Sequence, residues 1–148
     1  MYILAGPPGV GKSTVSKRIA ESLEKSALLE GDDFYHQVIG GYVPAWQENN
    51  HLEIFWKVCI DTIFHYLQAG YDVIFNYILQ THFKDFETKC VVLLVDGETI
   101  LNRDKERRED CQMGERCLLL LQNFILDTSK FSVEESVKEI IKKERFLI

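Results

Sequence analysis

Short apolar runs alternate with amphipathic stretches along the chain, a pattern typical of a parallel sheet covered by helices. Buried strands are predicted at residues 2–5, 27–30, 73–77, 91–95 and 125–128. Helices are predicted at residues 12–24, 52–68, 99–108, 113–124 and 132–143, where apolar residues recur every three or four positions. This order predicts an α/β fold with a parallel sheet of about five strands and helices on both faces.

Three further local patterns refine these elements. Gly70 follows the helix at 52–68, where a glycine ends a helix well because it adopts positive φ. Ser132 and Glu135 have the S-x-x-E spacing of a capping box. Residues 34–50 are aromatic, polar and rich in turn formers, which predicts an irregular binding loop.

The length and charge of the chain narrow its class. A chain of 148 residues predicts one domain covering residues 1–148. A net charge of -6 argues against nucleic-acid and membrane-surface partners, because such polyanions need a basic face. The four cysteines have no C-x-x-C spacing, so we expect reduced thiols in a cytoplasmic protein, with Cys59 and Cys90 in the core. We expect a monomer or homodimer.

The segment from Gly6 to Ser13 reads GPPGVGKS and fits the phosphate-binding pattern G-x-x-x-x-G-K-[ST] between a predicted strand and a predicted helix. Its glycines allow backbone N–H groups to point at phosphate oxygens, and the following helix begins with its positive dipole end there. Lys12 is expected to bind the β- and γ-phosphates and the Ser13 hydroxyl to coordinate Mg²⁺. The pattern therefore predicts an ATP and Mg²⁺ site formed by Gly6, Gly9, Val10, Gly11, Lys12, Ser13 and Thr14. The alternative is a glycine turn that binds nothing.

Together with Leu29-Glu30-Gly31-Asp32-Asp33 after the second strand, this loop resembles the small P-loop kinases of the gluconate kinase, shikimate kinase and adenylate kinase group. The Gly31-Asp32-Asp33 segment and the arginine-rich stretch from Arg103 to Arg116 look most like those of gluconate-kinase-like proteins. The resemblance implies a three-layer P-loop kinase fold, transfer of the γ-phosphate of ATP to a small-molecule hydroxyl, and a short helical lid at about 103–116. It also implies that Asp32 or Asp33 accepts the hydroxyl proton and that Asp32 supports Mg²⁺ beside Ser13. In an extended chain only one of the two would face the γ-phosphate; solvated turn acids are the alternative.

Further roles are implied by the same resemblance. Arg103 and Arg107 would contact the nucleotide, Arg107 and Arg116 would close on the transferring phosphoryl group, and Thr128 would border the adenine. A solvated helix face and a plain turn are the respective alternatives. Members of the group often have an acid at the end of the third strand, where this chain has Asn76. Either the Asp32/Asp33 pair then supports the metal, or catalysis is weak.

The acceptor is expected to bind the segment at about 34–68, with candidate residues Asp33, Phe34, Tyr35, His36, Trp46 and Asn50. No arginine lies between Arg18 and Arg103, and Lys57 is the only lysine from residue 31 to 70. Because an anionic acceptor needs cationic partners, this predicts a neutral or weakly charged acceptor such as a sugar, polyol or aromatic alcohol. A sugar acid stays open, because lid arginines could reach it. The alternative function is an ATP-binding or ATP-hydrolysing regulatory module without an acceptor.

Overall fold

The computed structural model describes residues 1–45, 47, 50–77, 88–94, 98, 102 and 125–142. The strands are β1 (Tyr2–Ala5), β2 (Ser26–Glu30), β3 (Asp72–Asn76), β4 (Lys89–Leu94) and β5 (Ile125–Asp127). The helices are α1 (Lys12–Ser22), α2 (Gly31–Tyr35), α3 (His51–Gln68) and α4 (Val133–Lys142), and a 3₁₀ turn spans Thr128–Lys130. Apart from Asn102, the helices predicted at 99–108 and 113–124, and with them the lid, lie outside the described residues.

The five strands form one parallel sheet in the order β2-β3-β1-β4-β5. The strand that leads into the phosphate-binding loop is therefore central, with β3 on one side and β4 on the other. The predicted α/β fold is confirmed, and its parallel strands place all their carboxyl ends at one edge of the sheet.

Alternate residues of each strand face two separate cores. Leu4 and Ile74 pack with Val15 and Ile19 of α1 and with α4, whereas Ile3 and Phe75 pack on the opposite face with α3. Each fully buried aliphatic or aromatic side chain contributes about 1.5–3 kcal/mol. The predicted core thiols Cys59 and Cys90 are buried and free. Burial raises the pKa of Cys59 to about 12 and that of Cys90 to about 11.

The predicted glycine cap of α3 is confirmed. Gly70 has a φ of 75° and its N–H donates to the Leu67 carbonyl at 3.0 Å. The Tyr71 N–H donates to the Tyr66 carbonyl at 3.0 Å, and the two rings lie 5.4 Å apart. These are the hydrogen bonds and the apolar contact of a Schellman motif.

The predicted capping box of α4 is confirmed as well. The Ser132 N–H donates to Glu135 Oε2 at 2.8 Å, and the Glu135 N–H donates to Ser132 Oγ at 3.2 Å. Two of the free backbone donors at this helix start are thereby satisfied.

The segment after β2 differs from the prediction. Residues 31–35 form helix α2, so Asp32 and Asp33 lie in a helical turn and the extended geometry assumed for them is wrong. Tyr35 is buried against the Phe55 ring at 5.5 Å, which fixes the helix on α3. A five-residue helix held by such tertiary contacts has no periodicity that a sequence pattern can detect.

Candidate active site

The loop between β1 and α1 is tightly curled. Gly6, Gly9 and Gly11 have φ values of 142°, 78° and 96°, all in the region that favours glycine. Gly6 also lies close to β4, because a Cβ on it would be 2.3 Å from the Leu93 carbonyl oxygen. α1 starts directly behind the loop, with the Val15 N–H donating to the Gly11 carbonyl at 3.0 Å. This is the geometry in which backbone N–H groups surround an anion.

Lys12 lies across its own loop. Its Nζ donates to the Gly6 carbonyl at 2.9 Å and to the Pro7 carbonyl at 3.0 Å. The ammonium group is therefore held at the loop, where it can serve as a counter-charge to phosphate.

The first turn of α1 is connected to the ends of β3 and β2 through side chains. Asn76 Nδ2 donates to Ser13 Oγ at 3.2 Å and also to Glu30 Oε2. Asn76 and Glu30 are directly opposite in the β2–β3 register, and both face the α1 side of the sheet. Sequence reasoning did not assign Glu30 to the site. The available signal was its position two residues after Leu28, on the same strand face.

Glu30 is half-buried, and its pKa is raised chiefly by burial and then by the Asp33 carboxylate. The hydrogen bond from Asn76 opposes this, and Lys12 also lowers the pKa. Glu30 thus lies within electrostatic reach of both the predicted phosphate ligand and the predicted base.

Asp32 and Asp33 are both exposed on α2, and both raise the pKa of Glu30 after the larger effect of burial. Asp33 has a larger effect on the pKa of Glu30 than Asp32 has. Burial raises the pKa of Tyr42, and the neighbouring Tyr35 and Asp32 add to the effect. Asp32 is therefore within electrostatic reach of both Tyr42 and Glu30, and Asp33 has the stronger effect on Glu30.

Two of the predicted acceptor residues, Tyr35 and His36, lie against a further aromatic ring. The Tyr42 ring lies 5.9 Å from that of Tyr35 and 6.0 Å from that of His36. The Tyr35 hydroxyl donates to the Val43 carbonyl at 2.8 Å, which holds the segment that carries Tyr42. Phe34 is half-buried beside this group.

Asn50 and Trp46 are the remaining acceptor candidates. Asn50 is exposed and precedes α3 without a side-chain capping bond. Trp46 lies outside the described residues, and so do the lid residues Arg103, Arg107 and Arg116. Their roles stay predictions.

A cavity of about 440 Å³ opens beside the phosphate-binding loop and reaches the start of α4. Thr128 Oγ1 lies 3.3 Å from the Val10 carbonyl and 3.2 Å from the Leu94 carbonyl, so it connects the loop after β5 to the phosphate-binding loop. The cavity is lined by Gly9, Val10, Gly11, Thr14, Val15, Thr128, Phe131, Ser132, Val133 and Ser136. The cavity thus brings Thr14 and Thr128 together with the loop, and their contacts with a nucleotide stay predictions.

Two features are absent from the residues that the structure describes. In this part of the chain, no three or more His, Cys, Asp or Glu side chains are grouped so as to hold a metal ion. No helix within it has the length and apolarity needed to cross a membrane.

The sheet order and the curled loop define a P-loop protein of the kinase type. The chain belongs to the AAA domain family, whose model matches residues 3–119. This family implies nucleotide binding, usually with Mg²⁺. No curated protein matches the chain significantly.

Solved structures confirm the fold. An unliganded sugar kinase from Janibacter sp. HTCC2649 is 17% identical, with a TM-score of 0.67 over 93% of this chain and 90% of that one. A gluconokinase from Sinorhizobium meliloti 1021 is 16% identical, with a TM-score of 0.64 over 94% and 87%. A chain of the Pnkp1/Rnl/Hen1 complex is also 16% identical, with a TM-score of 0.61 over 83% of this chain and 43% of that one. The expected likeness to small P-loop kinases is confirmed, and at these identities it concerns the fold alone.

Proposed function

We propose that the protein is an ATP-dependent kinase that transfers the γ-phosphate to a hydroxyl group of a small molecule. The observation that carries this proposal is the curled loop with Lys12 held across it, beside a set of oxygen ligands formed by Ser13, Glu30 and Asn76. A kinase needs a phosphate cradle, a counter-charge and a carboxylate edge within one site. This edge of the sheet combines all three.

The residues around Ser13 fit a hydrated Mg²⁺. Mg²⁺ prefers hard oxygen ligands and is commonly held by one or two side chains together with substrate phosphates. Ser13 Oγ and the Glu30 carboxylate are such ligands, and buried Asn76 Oδ1 has no hydrogen-bond donor among the described residues. The metal, when bound, neutralises charge on the transferring phosphate. Glu30 is therefore a stronger candidate than Asp32 for supporting it.

Asp32 is our candidate for the base. Its carboxylate is within electrostatic reach of the aromatic residues, since it raises the pKa of Tyr42 and Tyr77 after the larger effect of burial. In that position its carboxylate would accept the hydroxyl proton of the acceptor as the oxygen bonds to the γ-phosphorus and ADP leaves. The Asp33 carboxylate instead raises the pKa of Glu30, an effect that Lys12 opposes.

The acceptor we propose is neutral. Tyr42 is 42% exposed although its ring is fixed between Tyr35 and His36, and such a fixed, accessible ring suits the apolar face of a sugar or an aromatic alcohol. Lys57 is fully exposed on α3 and pairs with Glu53 at 2.7 Å, which leaves it engaged away from the core. The carboxylates of Glu30, Asp32 and Asp33 would repel an anionic acceptor. A sugar acid therefore becomes the weaker candidate.

The experiment is a thermal-shift screen of neutral sugars, sugar acids, alcohols and nucleoside monophosphates with a non-hydrolysable ATP analogue and Mg²⁺, followed by turnover assays on each hit. A true acceptor raises the Tm through mass action, and ADP is released in proportion to phosphorylated product. A preference for a nucleoside monophosphate would refute the neutral acceptor. ATP consumption that no acceptor increases would instead favour the regulatory module.

A cytoplasmic location, which the buried free thiols support, stays a prediction.

A further inference from the structure

β3 ends in an amide at the position where related kinases often have an acid. Asn76 is 4% exposed, and its Nδ2 donates at once to Ser13 Oγ and to Glu30. An amide nitrogen has two N–H donors, whereas a carboxylate at this position would have none. With an amide in place of an acid, residue 76 can donate hydrogen bonds to both the Ser13 hydroxyl and the Glu30 carboxylate.

The three side chains come from three elements. Ser13 lies in the first turn of α1, Glu30 ends β2 and Asn76 ends β3 directly beside it in the sheet. Asn76 is also paired in register with Leu4 of β1, so it lies between the phosphate-binding strand and the carboxylate. A buried oxygen such as Asn76 Oδ1, without a donor among the described residues, is normally satisfied by water or an ion.

We propose that Asn76 is a positioning residue that holds the Ser13 hydroxyl and the Glu30 carboxylate together as the support for the hydrated Mg²⁺ of the nucleotide. The negative charge that an acid on β3 would supply comes here from β2. The inference rests on the proposed use of ATP with Mg²⁺. It has an unexpected consequence: placing an acid at residue 76 weakens the metal site, because two adjacent carboxylates repel and both amide donors are lost.

The test measures affinity of the full chain for a non-hydrolysable ATP analogue by calorimetry, once with Mg²⁺ and once with EDTA. The ratio of the two affinities is the metal-dependent gain. We expect Asn76→Asp and Glu30→Gln each to reduce this gain by about tenfold or more, as outer-shell substitutions do. A purely structural role of Asn76 would lower both affinities by the same factor and leave the metal-dependent gain unchanged.

The exchange variant N76D/E30Q supplies the decisive comparison. It moves the acid to β3 and an amide to β2, so it should recover part of the gain that each single variant loses. Asp72→Asn is the control, because Asp72 is exposed at the other end of the same strand. Glu30→Gln keeps the volume and a hydrogen-bond acceptor, so it tests the carboxylate even if Asn76→Asp does not fold.

The outcomes separate this inference from the proposed function. A wild-type gain that Asn76→Asp retains or increases overturns the inference alone, as does an exchange variant whose loss is the sum of the two single losses. A wild-type protein that binds the analogue equally in Mg²⁺ and EDTA overturns the inference and the proposed Mg²⁺ dependence together.

Discussion

The ring of Tyr77 lies directly against the Cα of Gly31. A Cβ on residue 31 would be 2.2 Å from Cδ2 and 2.7 Å from Cβ of that tyrosine. Gly31 begins α2 and Tyr77 follows β3, so this contact holds the helix that carries Asp32 against the edge of the sheet. The position of Asp32, the candidate base, thus depends on the absence of a side chain at residue 31.

Gly31→Ala should therefore destabilise the protein. The added methyl group must displace a buried ring, and overpacking of this kind costs about 1–3 kcal/mol. Gly40→Ala is the matched control, because a Cβ there meets nothing within 4 Å. Urea unfolding of both variants compares their free energies of unfolding, and equal values for the two would contradict the contact.

Lys12→Met should weaken binding of the ATP analogue by about ten- to a hundredfold, since hydrogen bonds to charged groups contribute about 1.5–3 kcal/mol. The lost bonds to the Gly6 and Pro7 carbonyls should cost stability only modestly. Lys17→Met, on the exposed side of α1, is the control for a changed net charge. Calorimetry in which both variants bind like wild type would refute the phosphate role of Lys12.

Asp32→Asn should lower kcat by a factor of about 10²–10⁴, the usual range for loss of a general base. Affinity for the ATP analogue should change little, because Asp32 is proposed to act on the acceptor hydroxyl and not on the nucleotide. Asp33→Asn is the comparison and should have the smaller effect on kcat. Steady-state kinetics with the acceptor identified by the screen decides between them, and the reverse order would assign the base to Asp33.

The raised pKa of Glu30 predicts a pH dependence of stability in EDTA. A raised pKa means that the folded protein binds a proton here more tightly than the unfolded chain does. Stability from this group is then highest near and below its usual value of 4.5 and falls as the pH rises through the higher folded pKa. Glu30→Gln should flatten this part of the profile. Thermal unfolding across mildly acidic pH measures the slope, and identical slopes in both proteins would contradict the prediction.

Much of the fold could be predicted from the sequence because the strands are short apolar runs separated by amphipathic stretches and a glycine-rich loop. Gly70 and Ser132 worked as caps because capping depends on neighbours in the chain. The role of Glu30 could not be predicted in the same way, since it depends on the register that places it beside Asn76, and pairing between strands is not encoded locally. For the same reason, the sequence suggested that Asn76 leaves the site without a negative charge, although the Glu30 carboxylate lies beside it in the structure.

The hydrogen bond from Thr128 to the Val10 carbonyl joins residues 118 positions apart. Residues from both ends of this stretch line the cavity. The pocket therefore cannot form in a chain that lacks β5 and α4. During synthesis on the ribosome, the phosphate-binding loop can curl early. The pocket is completed only when β5 and α4 have emerged. Nascent chains that stop short of β5 should therefore be unable to retain a nucleotide, even with every residue of the glycine-rich motif already synthesised.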